Sequence, residues 1–341
     1  MKDIKLIIRH SMRHFLLIVL LLVSFLNVSI CQNLKTLKEV ENFGNNPGNL
    51  KMFIHNSTKK ETQKLPLVVV LHGCGQDAVR ASELTGWNKL ADLNNFLVLY
   101  PQQKMINNPD LCFNWFNNKD IEKGKGECES IFQMISYTLK HYAVDSSRIF
   151  ITGLSAGAAM SIALMATYPE LFKTGAVFEG GAYKIATNPI VASKGMAGKV
   201  YISREKLVEN VKNENPGYKG AYPHLIIYQG MDDAIVNNKN ATLLVNQWTG
   251  LNKADTIVDE TELSYSGIDD ITRKVFRDSS GTTVVILYEV NDLGHRLMIK
   301  PGEKDNESGK TGIFGVDKGF NSTYKTAEEF GITKKKKNIM K

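Results

Sequence analysis

Gly153-Leu154-Ser155-Ala156-Gly157 sets one serine between two glycines, after the apolar run RIFITG and before the helical pattern AAMSIALMAT. A serine hydroxyl attacks a carbonyl only when a base takes its proton, an acid orients that base and amides hold the resulting oxyanion. The chain offers residues for each role. NDLGHRLM supplies His295, in a loop beyond a late strand pair, and QGMDDAIV supplies Asp232 and Asp233 just past a buried-looking strand. HGCGQ, from His72 to Gln76, is a glycine-rich turn placed so that the Cys74 amide converges with that of Ala156 on a carbonyl oxygen. Of the other histidines, His10 and His14 lie in an apolar leader, His55, His141 and His224 fall within strand or helix patterns, and His72 opens the first buried turn. Asp292 is a further acid, but three residues from His295 in the same loop it reads as a solvated turn residue.

Such a serine must stand on a sharp strand-to-helix turn at the edge of a sheet. The required elements are present. LPLVVVLHG, FLVLYP, RIFITG, GAVFEG and HLIIYQG are β-branched runs suited to strands buried on both faces. They alternate with amphipathic segments such as ESIFQMISYTLKHY, which predicts a doubly wound, mostly parallel α/β sheet with a nucleophile elbow at Ser155. Before this core, Asn45-Asn46-Pro47-Gly48 marks a hairpin turn; after it, ITRKVFRD and TTVVILYEV alternate as a late strand pair. Residues 183–222 interrupt the rhythm, either as a cap over the site or as a surface excursion.

The 341 residues carry a formal charge of +7, of which the first thirty-one contribute +3 and Lys334 to Lys337 the rest. The body is near neutral, which gives nucleic-acid binding no support. Basic residues followed by FLLIVLLLVSFL and the small Ser29 and Cys31 read as a signal peptide, residues 1–31, cleaved before Gln32. Lipidation at Cys31, beside the large Ile30, and an uncleaved anchor are the rivals. The expected layout is then a catalytic domain over 32–333 and a lysine-rich disordered tail over 334–341, with no integral membrane association after cleavage. Export leaves Cys74, Cys112 and Cys128, a count that fits one disulfide and one spare thiol. No cysteine pair has metal-ligand spacing, and neither a metal nor a cofactor is expected.

Taken together, PLVVVLHGCGQ, GWNKLADLNNFLVLYPQQ, CFNWF, RIFITGLSAGAAMSIALMATYPELF and QGMDDAIV with NQW resemble the poly(3-hydroxybutyrate) depolymerase-like secreted esterases, α/β-hydrolases that include feruloyl and acetylxylan esterases. The resemblance runs from about Val40 onward. It implies Ser155 as nucleophile, Asp233 rather than Asp232 as acid, His295 as base and a Cys74–Cys112 disulfide. Phe113, Trp115 and Phe116 are expected near the substrate, unless they only pack the core. Phe113 stands where the family usually has tryptophan, Arg296-Leu297 where Ala-Trp is frequent, and Cys128 where proline is common. The implied activity is hydrolysis of acetyl or hydroxycinnamoyl esters of polysaccharide through an acyl-enzyme. A single catalytic-sized domain argues for these over solid polyester, although a polyhydroxybutyrate depolymerase is an alternative. The same constellation serves acyl transfer and peptide hydrolysis. A catalytically silent binding module on the same fold is the alternative from another class.

Overall fold

The computed structural model describes residues 37–56 and 63–334. The leader with its cleavage site and Cys31, and the tail from Lys335 onward, lie outside the described residues.

One ten-stranded sheet organises the chain, in the order β1-β2-β4-β3-β5-β6-β7-β10-β9-β8. Its strands are β1 (Lys38–Val40), β2 (Lys51–His55), β3 (Leu65–Leu71), β4 (Leu97–Gln102), β5 (Val144–Leu154), β6 (Thr174–Phe178), β7 (His224–Gly230), β8 (Glu260–Glu262), β9 (Ile271–Arg277) and β10 (Thr283–Val290). From β4 through β3, β5, β6 and β7 to β10 every neighbouring pair is parallel. Antiparallel partners close both sides: β2 on β4, and β9 then β8 beyond β10. β3 is buried at every position, as a strand covered on both faces must be. β5 starts earlier than RIFITG suggests. Val144 pairs with Leu65, and the polar stretch that follows, out of register, then brings Ile149 opposite Leu67.

Helices α1 (Ala78–Thr85), α2 (Trp87–Asn94), α3 (Asn118–Ile121), α4 (Gly126–His141), α5 (Ala156–Thr167), α6 (Pro189–Met196), α7 (Arg204–Lys212), α8 (Lys239–Leu251) and α9 (Ser322–Glu329) connect and cover the sheet. α5 is buried along its whole length, so it carries no polar face. A parallel pair of three-residue strands, β11 (Leu297–Ile299) and β12 (Gly315–Asp317), follows β10. Together with α9 it fixes the chain beyond residue 295, since Leu297 N donates to Phe314 O at 2.9 Å and Ser322 Oγ to Met298 O at 2.6 Å. No described helix is long and apolar enough to cross a membrane.

The parallel order brings five loops to one edge of the sheet. Cys74 follows β3, Ser155 follows β5, Glu179 follows β6, Asp233 follows β7 and His295 follows β10. Binding sites of open α/β sheets form at these carboxyl ends.

Candidate active site

Ser155 adopts φ 56°, ψ −119° between β5 and α5. An L-residue in such a region costs roughly 1–3 kcal/mol and persists only where its surroundings over-determine it. The flanking glycines supply that constraint. A Cβ on Gly157 would sit 2.4 Å from Leu71 O, and one on Gly153 would sit 2.3 Å from Gly157 O. The strand and helix can therefore approach only without those side chains. The Ser155 amide donates to Phe178 O at 2.9 Å, and the amino end of α5 directs its dipole toward any negative charge forming there.

Asp233 is buried and Asp232 is exposed. Asp233 Oδ1 accepts from the amides of Ile235 and Val236, both at 2.8 Å, while Oδ2 faces His295 Nδ1 at 2.8 Å. The pairing assigns the imidazole tautomer with its proton on Nδ1, leaving Nε2 as a base. The two loops are brought together by close packing. The Asp232 amide donates to Leu293 O at 3.1 Å, and a Cβ on Gly230 would lie 2.3 Å from that same carbonyl oxygen. Asp292 is exposed and paired with Lys318, away from this arrangement.

The loop after β3 is held from several directions. His72 is buried between Gly73 O, 2.8 Å from Nδ1, and the Gln103 amide, which donates to Nε2 at 3.1 Å. Burial lowers its pKa to about 4, against the raising effects of the Gly73 carbonyl and Asp77. Gln76 Oε1 accepts from the Gly73 amide at 2.9 Å, and the Gly75 amide donates to Asp110 O at 2.8 Å. Cys74 and Cys112 are joined by a disulfide. Beneath lies Glu127, almost fully buried, which accepts from Gln103 Nε2 at 2.5 Å, the Asn114 amide at 2.8 Å and Asn114 Nδ2 at 2.7 Å. Burial, with Asp120 second, raises its carboxyl to about 8 despite those three donors. Cys128 is the free cysteine among the described residues, buried and 3.7 Å from Met160 Sδ.

A pocket of about 180 Å³ opens beside Ser155. Cys74 and Ala156 stand at its edge, Trp115 and Phe116 form one wall, and Ile185, Ala192 and Met196 form another. Residues 183–222 thus divide. α6 walls the pocket, whereas α7 packs on α8, where Leu207 O accepts from Gln247 Nε2 at 2.8 Å. Phe113 departs from expectation: fully buried, it packs on His72 with ring centroids 4.7 Å apart and does not line the pocket. It supports the loop from below and cannot touch a ligand in that pocket.

Two polar groups at the pocket were not singled out in the sequence. Asn240, on α8, donates through Nδ2 to Gly195 O, Met196 O and Asn237 O at 3.0–3.1 Å. Three carbonyls fix the amide orientation, so Oδ1 faces the pocket wall near Gly181 and, among the described residues, has no hydrogen-bond partner. Glu179 is 2% exposed and has φ 53°. Its Oε1 accepts from the Arg296 amide at 2.9 Å; its Oε2, also unpartnered, lies 3.4 Å from His295 Nδ1. Burial first, and the Asp233 charge second, push this carboxyl well above the usual range, against the pull of the Arg296 amide. The one signal in the sequence was an acidic residue inside an otherwise apolar strand end, VFEGG. Ligand atoms of Glu179, Asp233 and His295 lie within 4.8 Å of one another, close enough for a cation, but the Asp233 oxygens already accept from two amides and the imidazole.

Comparison with known proteins bears directly on this geometry. Residues 53–268 match the family described as Esterase PHB depolymerase. A poly(3-hydroxyalkanoate) depolymerase C from Paucimonas lemoignei is 37% identical over 87% of this chain and 70% of its own length. A feruloyl esterase B from Talaromyces funiculosus is 29% identical over 76% of this chain and 73% of its own. Among solved structures, an acetyl xylan esterase from Aspergillus awamori superposes with a TM-score of 0.69 at 25% identity, covering 76% of this chain and 93% of that one. The sheet with helices on both sides is that of the α/β-hydrolase fold, and the relatives are carboxylic ester hydrolases. With its family match spanning more than half its length, the chain belongs to the PHB-depolymerase esterase family and is an ester hydrolase.

Proposed function

We propose that the protein is an exported serine esterase that cleaves acetyl or hydroxycinnamoyl esters of polysaccharide through a covalent acyl-enzyme. The observation that carries this reading is a strained serine beside an apolar pocket, with a buried aspartate paired to a histidine on the neighbouring strand ends. In the proposed cycle His295 Nε2 takes the Ser155 proton as Oγ bonds to the ester carbonyl carbon, and Asp233 stabilises the imidazolium. The amides of Cys74 and Ala156 receive the oxyanion. His295 then protonates the departing alkoxide, and a water activated by the same nitrogen releases the acid. The acyl group would occupy the pocket between Trp115, Phe116 and α6, where aromatic walls suit a planar ring. Export is supported by the Cys74–Cys112 disulfide, which belongs to an oxidising compartment.

A second reading is favoured by the relative at 37% identity, whose described substrate is a poly(3-hydroxyalkanoate). One assay separates the two. Acid released from acetylated and feruloylated xylan is compared with hydroxybutyrate released from polymer film, as kcat/KM or rate per enzyme. Faster attack on film would sink the polysaccharide reading. Ser155→Ala tests the chemistry beneath both: hydrolysis is expected to drop by roughly four decades or more, together with loss of fluorophosphonate labelling. A variant keeping a tenth of the wild-type rate would remove serine from the mechanism.

A further inference from the structure

Glu179 plays no part in the cycle above, yet its placement is costly in two ways. A bulky side chain holds a left-handed backbone where the next two positions are glycine, and a carboxylate oxygen is sealed from water without a partner. A chain that needed only to turn at the end of β6 would do so with glycine. Both features deliver Oε2 to 3.4 Å from His295 Nδ1, on the side of the imidazole that Asp233 also occupies.

We propose that Glu179 is a positioning residue, a second carboxyl on the Nδ1 side of His295 that takes over the hold on the imidazole when Asp233 cannot provide it. The inference rests on His295 being the base. Three groups face Glu179 from packed elements: Asp233 from the loop after β7, and His295 with the Arg296 amide from the loop after β10. Two ionised carboxylates around one neutral imidazole repel each other in a buried site, so one of them holds a proton. Asp233 Oδ1 accepts two backbone amides, whereas Glu179 has one; burial and the neighbouring Asp233 carboxyl hold Glu179 protonated against that single amide. Without the Asp233 charge, the second cause holding Glu179 neutral disappears. Burial, the larger cause, remains, so the proton leaves only as the pH rises; the carboxylate then accepts Nδ1–H, keeping the productive tautomer.

The test is a double-mutant cycle on a soluble ester, read as kcat/KM across pH. Glu179→Gln alone is expected to cost less than tenfold. Where no other group replaces a triad acid, its loss costs about 10⁴-fold; Asp233→Asn here is expected to cost about a hundredfold. Its remaining rate should climb with pH as Glu179 ionises. The double variant should lose at least another tenfold and that climb. Equal rates for Asp233→Asn and the double variant, or a pH profile of Asp233→Asn that adding Glu179→Gln leaves unchanged, would overturn the proposal. The low-field proton resonance of His295 Nδ1–H gives a readout independent of turnover, and circular dichroism checks the fold. The resonance is expected in Asp233→Asn and absent from the double variant; persistence in a folded double variant counts against Glu179. In a Ser155→Ala background it can be measured even if the serine mechanism itself fails, so the two failures are separable.

Discussion

At the scale of single residues, Asn240 fixes one wall of the pocket: its Nδ2 donates to the Gly195, Met196 and Asn237 carbonyls, while its Oδ1 is sealed from solvent and has no partner among the described residues. Asn240→Ala removes these buried bonds and should destabilise the fold by about 1–3 kcal/mol, measured by urea titration. An unchanged unfolding midpoint would show that the wall stands without them. The residues proposed as nucleophile and base were legible in the sequence because Ser155 and His295 each sit beside a glycine past a strand, whereas local context left Asp232 and Asp233 open and only the family resemblance pointed to Asp233. Glu179 and Asn240 had no such context. A carboxyl in VFEGG and an amide in NKNATLL acquire meaning only when β6 and α8 are placed against the pocket.

At the scale of elements, the loop after β3 depends on a histidine that stays neutral. His72 accepts the Gln103 amide through Nε2, which protonation would abolish. Its folded-state pKa of about 4 lies below the ordinary 6.5, so the stability it contributes is complete above pH 6.5. That contribution falls away as the pH drops from 6.5 toward 4, amounting to about 3 kcal/mol over the whole interval. Urea unfolding at pH 7 and pH 4.5 should show a smaller acid-induced loss in His72→Gln than in the wild type. An identical loss in both proteins would mean the ring does not resist protonation. The buried parallel strands could be read directly, since continuous β-branched runs have few other uses. β11, β12 and α9 escaped notice for a physical reason: three-residue strands are shorter than any period that reveals them, and their partners are set by tertiary packing. The route of α6 along the pocket was equally hidden, because a helix over residues 189–196 reads the same in a cap or a surface excursion.

At the scale of the molecule, the far end of the described chain returns to the central sheet. Phe330 stacks on Phe150 of β5, ring centroids 4.6 Å apart, and on Trp87 of α2 at 6.2 Å. Phe330→Ala should destabilise the fold by about 3–5 kcal/mol, measured by urea titration. A change below 1 kcal/mol would show that this end is dispensable. The consequence reaches into synthesis. The groups assembled at the pocket come from the ends of β3, β5, β6, β7 and β10, and the His295 loop is tied down by segments that leave the ribosome later still. A nascent chain therefore carries the turn at Ser155 long before it carries the histidine proposed as its base. On the mechanism proposed above, ester hydrolysis waits for α9 to dock, and a fragment that ends before β10 is expected to show none.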